Sequence, residues 1–514
     1  MILKGTTIAA LLALAANIAF AATPHAQGRQ AAVWPTSGWE VTTPEEQGMS
    51  SRAIADLVDN VGAYKQDSLL IVRNGRMIVD AYYAPYVTGI RHDLRSVTKS
   101  FVATIIGVLV QQGKLESIDR PVLELFPDRT FANPDDRKKA MTVRHLLDMA
   151  SGFAWVERFY TPDETVIRMY KSPDPVRFVL DQPMSDTPGA NFIYKGGDPY
   201  LLSALVNKLT GQNALEFAKE ELFAPLGITD VRWGPVDKQG IVTGEAGLRL
   251  TPHDMAKLGY LYLRDGLWAD KRIIPSAWIE RARKGNVTTP FGKYANLWWS
   301  VPENDVFMAL GRHGQFVIVL PKLDVVAVLT GIVPDGESRF PWRALVDQIT
   351  AAIKSNEPLP PDQEGVAALK ASLVTAATEK PTHFGSASTI ADTVSSKTWR
   401  VRQNELRVKA VRLNLVGESP TFELTIYPLK EGGDDIRLSE PLGLDGRWRG
   451  KSAPYAFVVN KGNWLDNRTF LLERRFLGDG VTVFWTFTFE EGRLKLQFRN
   501  TDGYIVELPV EAPN

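Results

Sequence analysis

Residues 98–115 form an apolar stretch in which Ile105, Ile106, Val108 and Leu109 follow too densely for one face of a surface helix. A helix that is hydrophobic all round has to be enclosed, because no side of it suits water. Whatever this chain folds into must therefore be built around that segment. A length of 514 residues, 44% of them hydrophobic, is enough to bury a sizeable core and suggests two or three domains. Just ahead of the run stand Ser96 and Lys99, in the sequence Ser96-Val97-Thr98-Lys99. On a helix, three-residue spacing puts both side chains on one face, a turn apart. A helix start also offers unbonded N–H groups and a positive partial charge, which favour an alkoxide-like nucleophile or an oxyanion. Burial disfavours the charged form of Lys99, so its amine could take or share the Ser96 proton. A capping serine beside a snorkelling lysine explains the same four residues without any chemistry.

The rest of the pattern suggests layers. Residues 69–72, then Asn74-Gly75, then 77–79 read as a tight hairpin, since Asn-Gly between β-formers suits a two-residue turn. Residues 316–320 and 325–329 read as a second buried hairpin. Between the hairpins lie helical stretches at 143–149, 201–209, 214–223 and 252–262, and residues 23–48 form a loop-rich lead-in. Strand pair, helical insertion, strand pair and closing helix describe an α+β fold: an antiparallel sheet flanked by helices, with a helical region. This domain is expected over residues 23–355. Residues 356–382, opening on Asn356-Glu357-Pro358, read as a linker with a short helix at 363–377. Beyond His383 the texture alternates, as in Phe422, Leu424, Ile426 and in Val483, Trp485, Phe487, Phe489. Residues 383–514 are therefore expected to be an all-β sandwich or barrel of about eight strands.

Several functions are argued against by composition. Basic and acidic residues both number 59, so no net field attracts nucleic acid. Cysteine is absent, which removes disulfides and thiolate chemistry. The six histidines show no HExxH pair, so neither a metal nor another cofactor is expected. Lys4 followed by the apolar residues 8–20 and by Ala19-Phe20-Ala21 reads as a signal peptide over residues 1–22. The expected location is periplasmic or secreted, with no membrane span after cleavage; an uncleaved anchor is the alternative reading. Nothing in the sequence specifies an oligomeric state.

Longer blocks carry a resemblance. Residues 93–101 (DLRSVTKSF), residues 142–152 (TVRHLLDMASG), Tyr194 with Lys195-Gly196-Gly197-Asp198, and Gly311-Arg312-His313-Gly314-Gln315 follow one another in order. Together they resemble the serine β-lactamase and penicillin-binding-protein superfamily, in its class C-like branch of esterases, amidases and peptidases, near the 6-aminohexanoate-dimer hydrolases. The resemblance covers residues 69–353. It implies that Ser96 is the nucleophile, with Tyr194 hydrogen-bonded to it and acting with Lys99 as base or proton shuttle. Gly196 stands where that family has Asn or Ser, so no side chain there can bind a substrate amide. The family's Lys-Thr-Gly falls on Arg312-His313-Gly314. In that frame Gln315 N–H joins Ser96 N–H as the oxyanion hole, Gly314 lets substrate approach the strand, and Arg312 or His313 faces a substrate carboxylate. Trp155, Trp298, Trp299 and Tyr294 could wall an acyl pocket or be plain core, and Glu157 and Tyr160 sit in a loop near the site. His92 and His145 read as structural.

Three readings follow. The leading one is a hydrolase of small ester, amide or peptide substrates working through a Ser96 acyl-enzyme. A penicillin-interacting or peptidoglycan-sensing protein with weak turnover is the second, and Gly196 is its support. A Ser-His-Asp hydrolase of another fold is the third, and the chain has no Gly-x-Ser-x-Gly elbow to carry it.

Overall fold

A computed structural model describes residues 33–158, 161–381, 388–430, 432–452 and 457–511. The expected leader at 1–22, Tyr160 and His383 lie outside the described residues.

The apolar run forms a helix over Val97–Gln111, and every residue from Val97 to Leu109 is buried. Its enclosure comes from an eight-stranded antiparallel sheet on one side and the Gly197–Thr210 helix on the other. In spatial order the sheet runs Arg76–Tyr82, Gln66–Arg73, Val325–Gly331, Gln315–Leu320, Val306–Gly311, Trp298–Val301, Gly292–Ala295 and Val287–Thr289. The first hairpin closes through Asn74 (φ 50°) and Gly75 (φ 80°), the two left-handed positions that an Asn-Gly turn supplies. Both faces of the sheet are covered, which is why its central strands read as unbroken apolar runs. Leu70 and Val72 of one strand enter the core shared with the Val97–Gln111 helix. Their neighbours Leu69 and Ile71 enter the opposite core, against the helices Ser51–Gly62 and Trp342–Ala352. The α+β architecture expected from the sequence is the one observed.

Two expectations change. The Gln363–Ala377 helix is not a linker element: it packs on Ser51–Gly62 and on the Arg76–Tyr82 strand, with Leu369 only 6% exposed. Leu369, Leu373 and Ala376 share one face at helical spacing and turn it into the second core, so the helix completes the outer layer of the first domain. The C-terminal region holds ten strands among the described residues, in separate antiparallel sheets of four and six. The edges of the two sheets are also bridged, Val401 to Val510 on one side and Gly443 to Lys461 on the other, so the region is a sandwich closed at both edges as a flattened barrel is. Trp399, Val411, Phe422 and Leu424 from the smaller sheet share one core with Phe470, Leu472, Trp485 and Phe487 from the larger. The described residues form one compact unit, so the two parts differ in core rather than in body. No described helix is long and apolar enough to cross a membrane.

Candidate active site

The chain enters the buried helix through a sharp reversal. Leu94 N donates to Leu248 O (2.9 Å), Arg95 takes a left-handed φ of 48°, and Ser96 follows at φ −69°. Arg95 N donates to Asp93 Oδ1 (2.8 Å), which holds the turn. Ser96 is half-buried, and its side chain caps no helix N–H. Lys99 is 2% exposed, so it does not snorkel to water. Neither half of the purely structural alternative survives. Lys99 Nζ instead donates to Ser96 Oγ (3.0 Å) and to Glu245 O (2.8 Å), with a Glu245 carboxylate oxygen at 3.9 Å. Burial disfavours the ammonium while that carboxylate favours it, so the two environments act on Lys99 in opposite senses. The Tyr194 ring lies 4.9 Å from Lys99 Nζ. The described contact of Tyr194 is thus ring to ammonium; no hydrogen bond from its hydroxyl to Ser96 occurs among the described residues.

A buried polar knot fixes Tyr194 from behind. Lys195 Nζ donates to Ser151 Oγ (3.0 Å), and Ser151 Oγ donates to Asp198 Oδ1 (2.7 Å), at the start of the Gly197–Thr210 helix. Burial pushes the Asp198 carboxyl up to about 7 although the Lys195 charge opposes it. Beside the knot, the space around Gly196 is tight. A Cβ there would lie 3.2 Å from Glu245 Cγ and 3.3 Å from Glu157 Oε2. Two carboxylate side chains border Gly196 closely and would have to give by a few tenths of an ångström to admit a Cβ. Glu157 accepts hydrogen bonds from Gly196 N (2.6 Å) and Trp155 Nε1 (2.8 Å), and burial pushes its carboxyl above the usual range. Glu245 accepts from the hydroxyls of Tyr170 and Thr243. Glu245 carries no motif of its own; it comes from a distant loop, and only the fold brings it to Lys99.

The aromatic expectations divide. Trp298 is fully buried against Tyr262 (ring centroids 4.4 Å) and Phe307 (5.4 Å), so it is core and lines no pocket. Its strand neighbour Trp299 points the other way, half-buried and stacked on Tyr194 at 6.3 Å. Alternation along a strand turns a one-residue difference into opposite faces. Trp155 is nearly buried over Gly197, where a Cβ would meet its ring at 2.8 Å, so it covers the helix start. Tyr294 is buried beside Trp299. His92 Nε2 lies 3.0 Å from Asp67 Oδ2 in the interior, and His145 Nδ1 accepts from Thr142 N (3.1 Å) at a helix start.

The residues of the expected third motif lie in a turn and not on a strand. Arg312, His313 and Gly314 are not on a strand beside Ser96; they form the turn between Val306–Gly311 and Gln315–Leu320. Arg312 Nε donates to Asp335 Oδ2 (2.8 Å), and His313 is buried with Nε2 3.2 Å from Asp502 Oδ1. Gly314, at φ 95°, faces Gln66, and Gln315 pairs with Gly311 while its amide donates to Gly331 O (2.7 Å). The strand residue that comes against the segment leading to the serine is Gly311. A Cβ on Gly311 would lie 2.6 Å from Leu94 O. The Trp298–Val301 strand pairs only with Val306, Phe307 and Met308, so residues 309–311 keep an open strand edge on that side.

The beta-lactamase family profile matches residues 51–351, more than half of the chain. The 6-aminohexanoate-dimer hydrolase of Paenarthrobacter ureafaciens is 25% identical over 329 residues, covering 59% of this chain and 82% of the relative. The lovastatin esterase of Penicillium rubens is 28% identical over 175 residues, covering 31% of this chain and 42% of that enzyme. Among solved structures, the octameric penicillin-binding protein homologue from Pyrococcus abyssi aligns with 87% of this chain and 99% of its own, at 16% identity and a TM-score of 0.45. The fold is β-lactamase-like with a strand-rich C-terminal region, and the chain belongs to the β-lactamase-like serine hydrolase family.

Proposed function

We propose that the protein is an exported serine hydrolase that cleaves a small ester or amide through an acyl-enzyme on Ser96. The observation that carries this reading is the 3.0 Å bond from Lys99 Nζ to Ser96 Oγ at a half-buried helix start, with the Tyr194 ring against the same amine. Ser96 Oγ bonds to the carbonyl carbon as its proton passes to the Lys99–Tyr194 couple. The carbonyl oxygen takes the electron pair and is held by the N–H of Ser96 and by the strand edge at 309–311. Collapse breaks the bond to the alcohol or amine, which leaves with that proton. Water then attacks the Ser96 ester and gives a proton to the same couple. The carboxylic acid departs as Ser96 Oγ regains its hydrogen. Export rests on the charged and apolar pattern of residues 1–22.

Small linear esters and amides fit better than penicillins. Gly196 supplies no side chain to hold a lactam amide, and Glu157 and Glu245 border it closely. The names of the relatives span amide and ester hydrolysis, which supports the reaction class and leaves the leaving group open. The test is a screen of p-nitrophenyl esters, the matching p-nitroanilides and nitrocefin on the wild type and Ser96→Ala. Ester turnover that disappears in Ser96→Ala, with nitrocefin slow, is the expected result. Nitrocefin turned over as fast as esters would overturn the substrate preference. Stable penicillin acylation with no ester or amide turnover would favour the sensing reading.

A further inference from the structure

The C-terminal sandwich meets the first domain on the segment that carries Ser96. The contact is a turn between the strands Thr469–Leu477 and Thr482–Glu490. Gly478 O accepts from Asp93 N, and a Cβ on Gly478 would lie 2.0 Å from Arg91 O, so the two backbones touch. Asp479 O accepts from Arg95 Nη2 (2.8 Å), while the Asp479 carboxylate pairs with Arg249. Arg249 in turn lies 3.9 Å from Asp93 Oδ2, and Asp93 Oδ1 accepts from Arg95 N. Deeper in, Arg475 of the same hairpin pairs with buried Asp67, which also holds His92. These contacts converge on residues 92–95. Arg95 is the residue that needs them, because its φ of 48° is a left-handed conformation that non-glycine side chains adopt at a cost. That conformation turns the chain so that Ser96 faces Lys99.

We propose that the 478–480 turn is a positioning element for the nucleophile, with Asp479 its anchor: it holds Arg95 in the left-handed turn and thereby aims Ser96 Oγ at Lys99. The sandwich is then part of the catalytic scaffold, in addition to whatever it binds. This rests on Ser96 being the nucleophile. Asp479 touches no reacting atom and acts through Arg95 and Arg249.

The experiment compares full-length variants on a p-nitrophenyl ester, with melting temperature measured on each. Asp479→Ala keeps the backbone acceptor of Arg95 but removes the carboxylate that ties the turn to Arg249 and, through it, to Asp93. It is expected to lower kcat by about 10- to 100-fold with KM nearly unchanged, the size expected for a nucleophile shifted by about an ångström. Asp479→Asn keeps an acceptor for Arg249 and is expected to recover part of that loss. The control is Arg474→Met, which breaks a buried ion pair with Glu440 inside the sandwich and none of the contacts at 92–95. It is expected to lower the melting temperature and leave the kcat of the folded protein intact. Arg95→Ala, which keeps the cost of the left-handed turn but has no guanidinium to anchor, is the second variant should Asp479→Ala not fold; a matching fall in kcat is expected. An unchanged kcat in the folded Asp479 or Arg95 variant, or an equal kcat loss in Arg474→Met, would overturn the proposal. Activity that survives Ser96→Ala would sink the functional reading itself, whereas Ser96-dependent activity indifferent to Asp479 would sink only the positioning role.

Discussion

Two short polar segments lead into apolar elements near the site, and they behave differently. Ser96 to Lys99 opens a helix; Arg312 to Gly314 closes a hairpin. At a helix start, a spacing of three residues sets which side chains can meet, and the turn before it completes the aim. At a hairpin, the identity of the turn residues depends on where the strand stops, and that is set by neighbours distant in sequence. Here the strand stops at Gly311, where a Cβ would lie 2.6 Å from Leu94 O, and the chain turns before the residues that look like a motif. Local periodicity carries catalytic spacing, while tertiary contact carries strand frame.

That contrast can be broken at either end. Lys99→Met removes the amine with little change of shape, and kcat/KM for an ester is expected to fall about 10²- to 10⁴-fold, the usual worth of a positioned proton acceptor. A loss below tenfold in the folded variant would mean that the helix spacing aligns the pair without using it. At the other end, Arg312→Gln is expected to change kcat/KM by no more than about two- to threefold, because an ion pair open to solvent contributes roughly 0.2–1 kcal/mol. The Arg312 side chain is 24% exposed and pairs with Asp335, itself exposed. A large rise in KM for carboxylate-bearing substrates would restore Arg312 to the site despite its place in the turn.

The sequence was most readable where structure is local. The density of apolar residues at 98–109 announces a buried helix, and Asn74-Gly75 announces its turn. The Gln363–Ala377 helix was visible as a helix, but its docking on Ser51–Gly62 depends on which face finds a partner. Trp298 and Trp299 are indistinguishable as letters; only strand parity sends one to the core and the other to Tyr194. Glu245 is one acid among many until the fold sets it beside Lys99. Gly196 reads in the sequence as a missing side chain, and only the structure shows that Glu157 and Glu245 border it closely.

The central claim is that Ser96 becomes acylated because Lys99 takes its proton. Its most direct test is to label the folded protein with a fluorophosphonate and map the adduct by peptide mass spectrometry. The expected result is one adduct, on the peptide carrying Ser96, formed at least tenfold more slowly in Lys99→Met. An adduct on any other residue, or on Ser96 at an unchanged rate without Lys99, would contradict it.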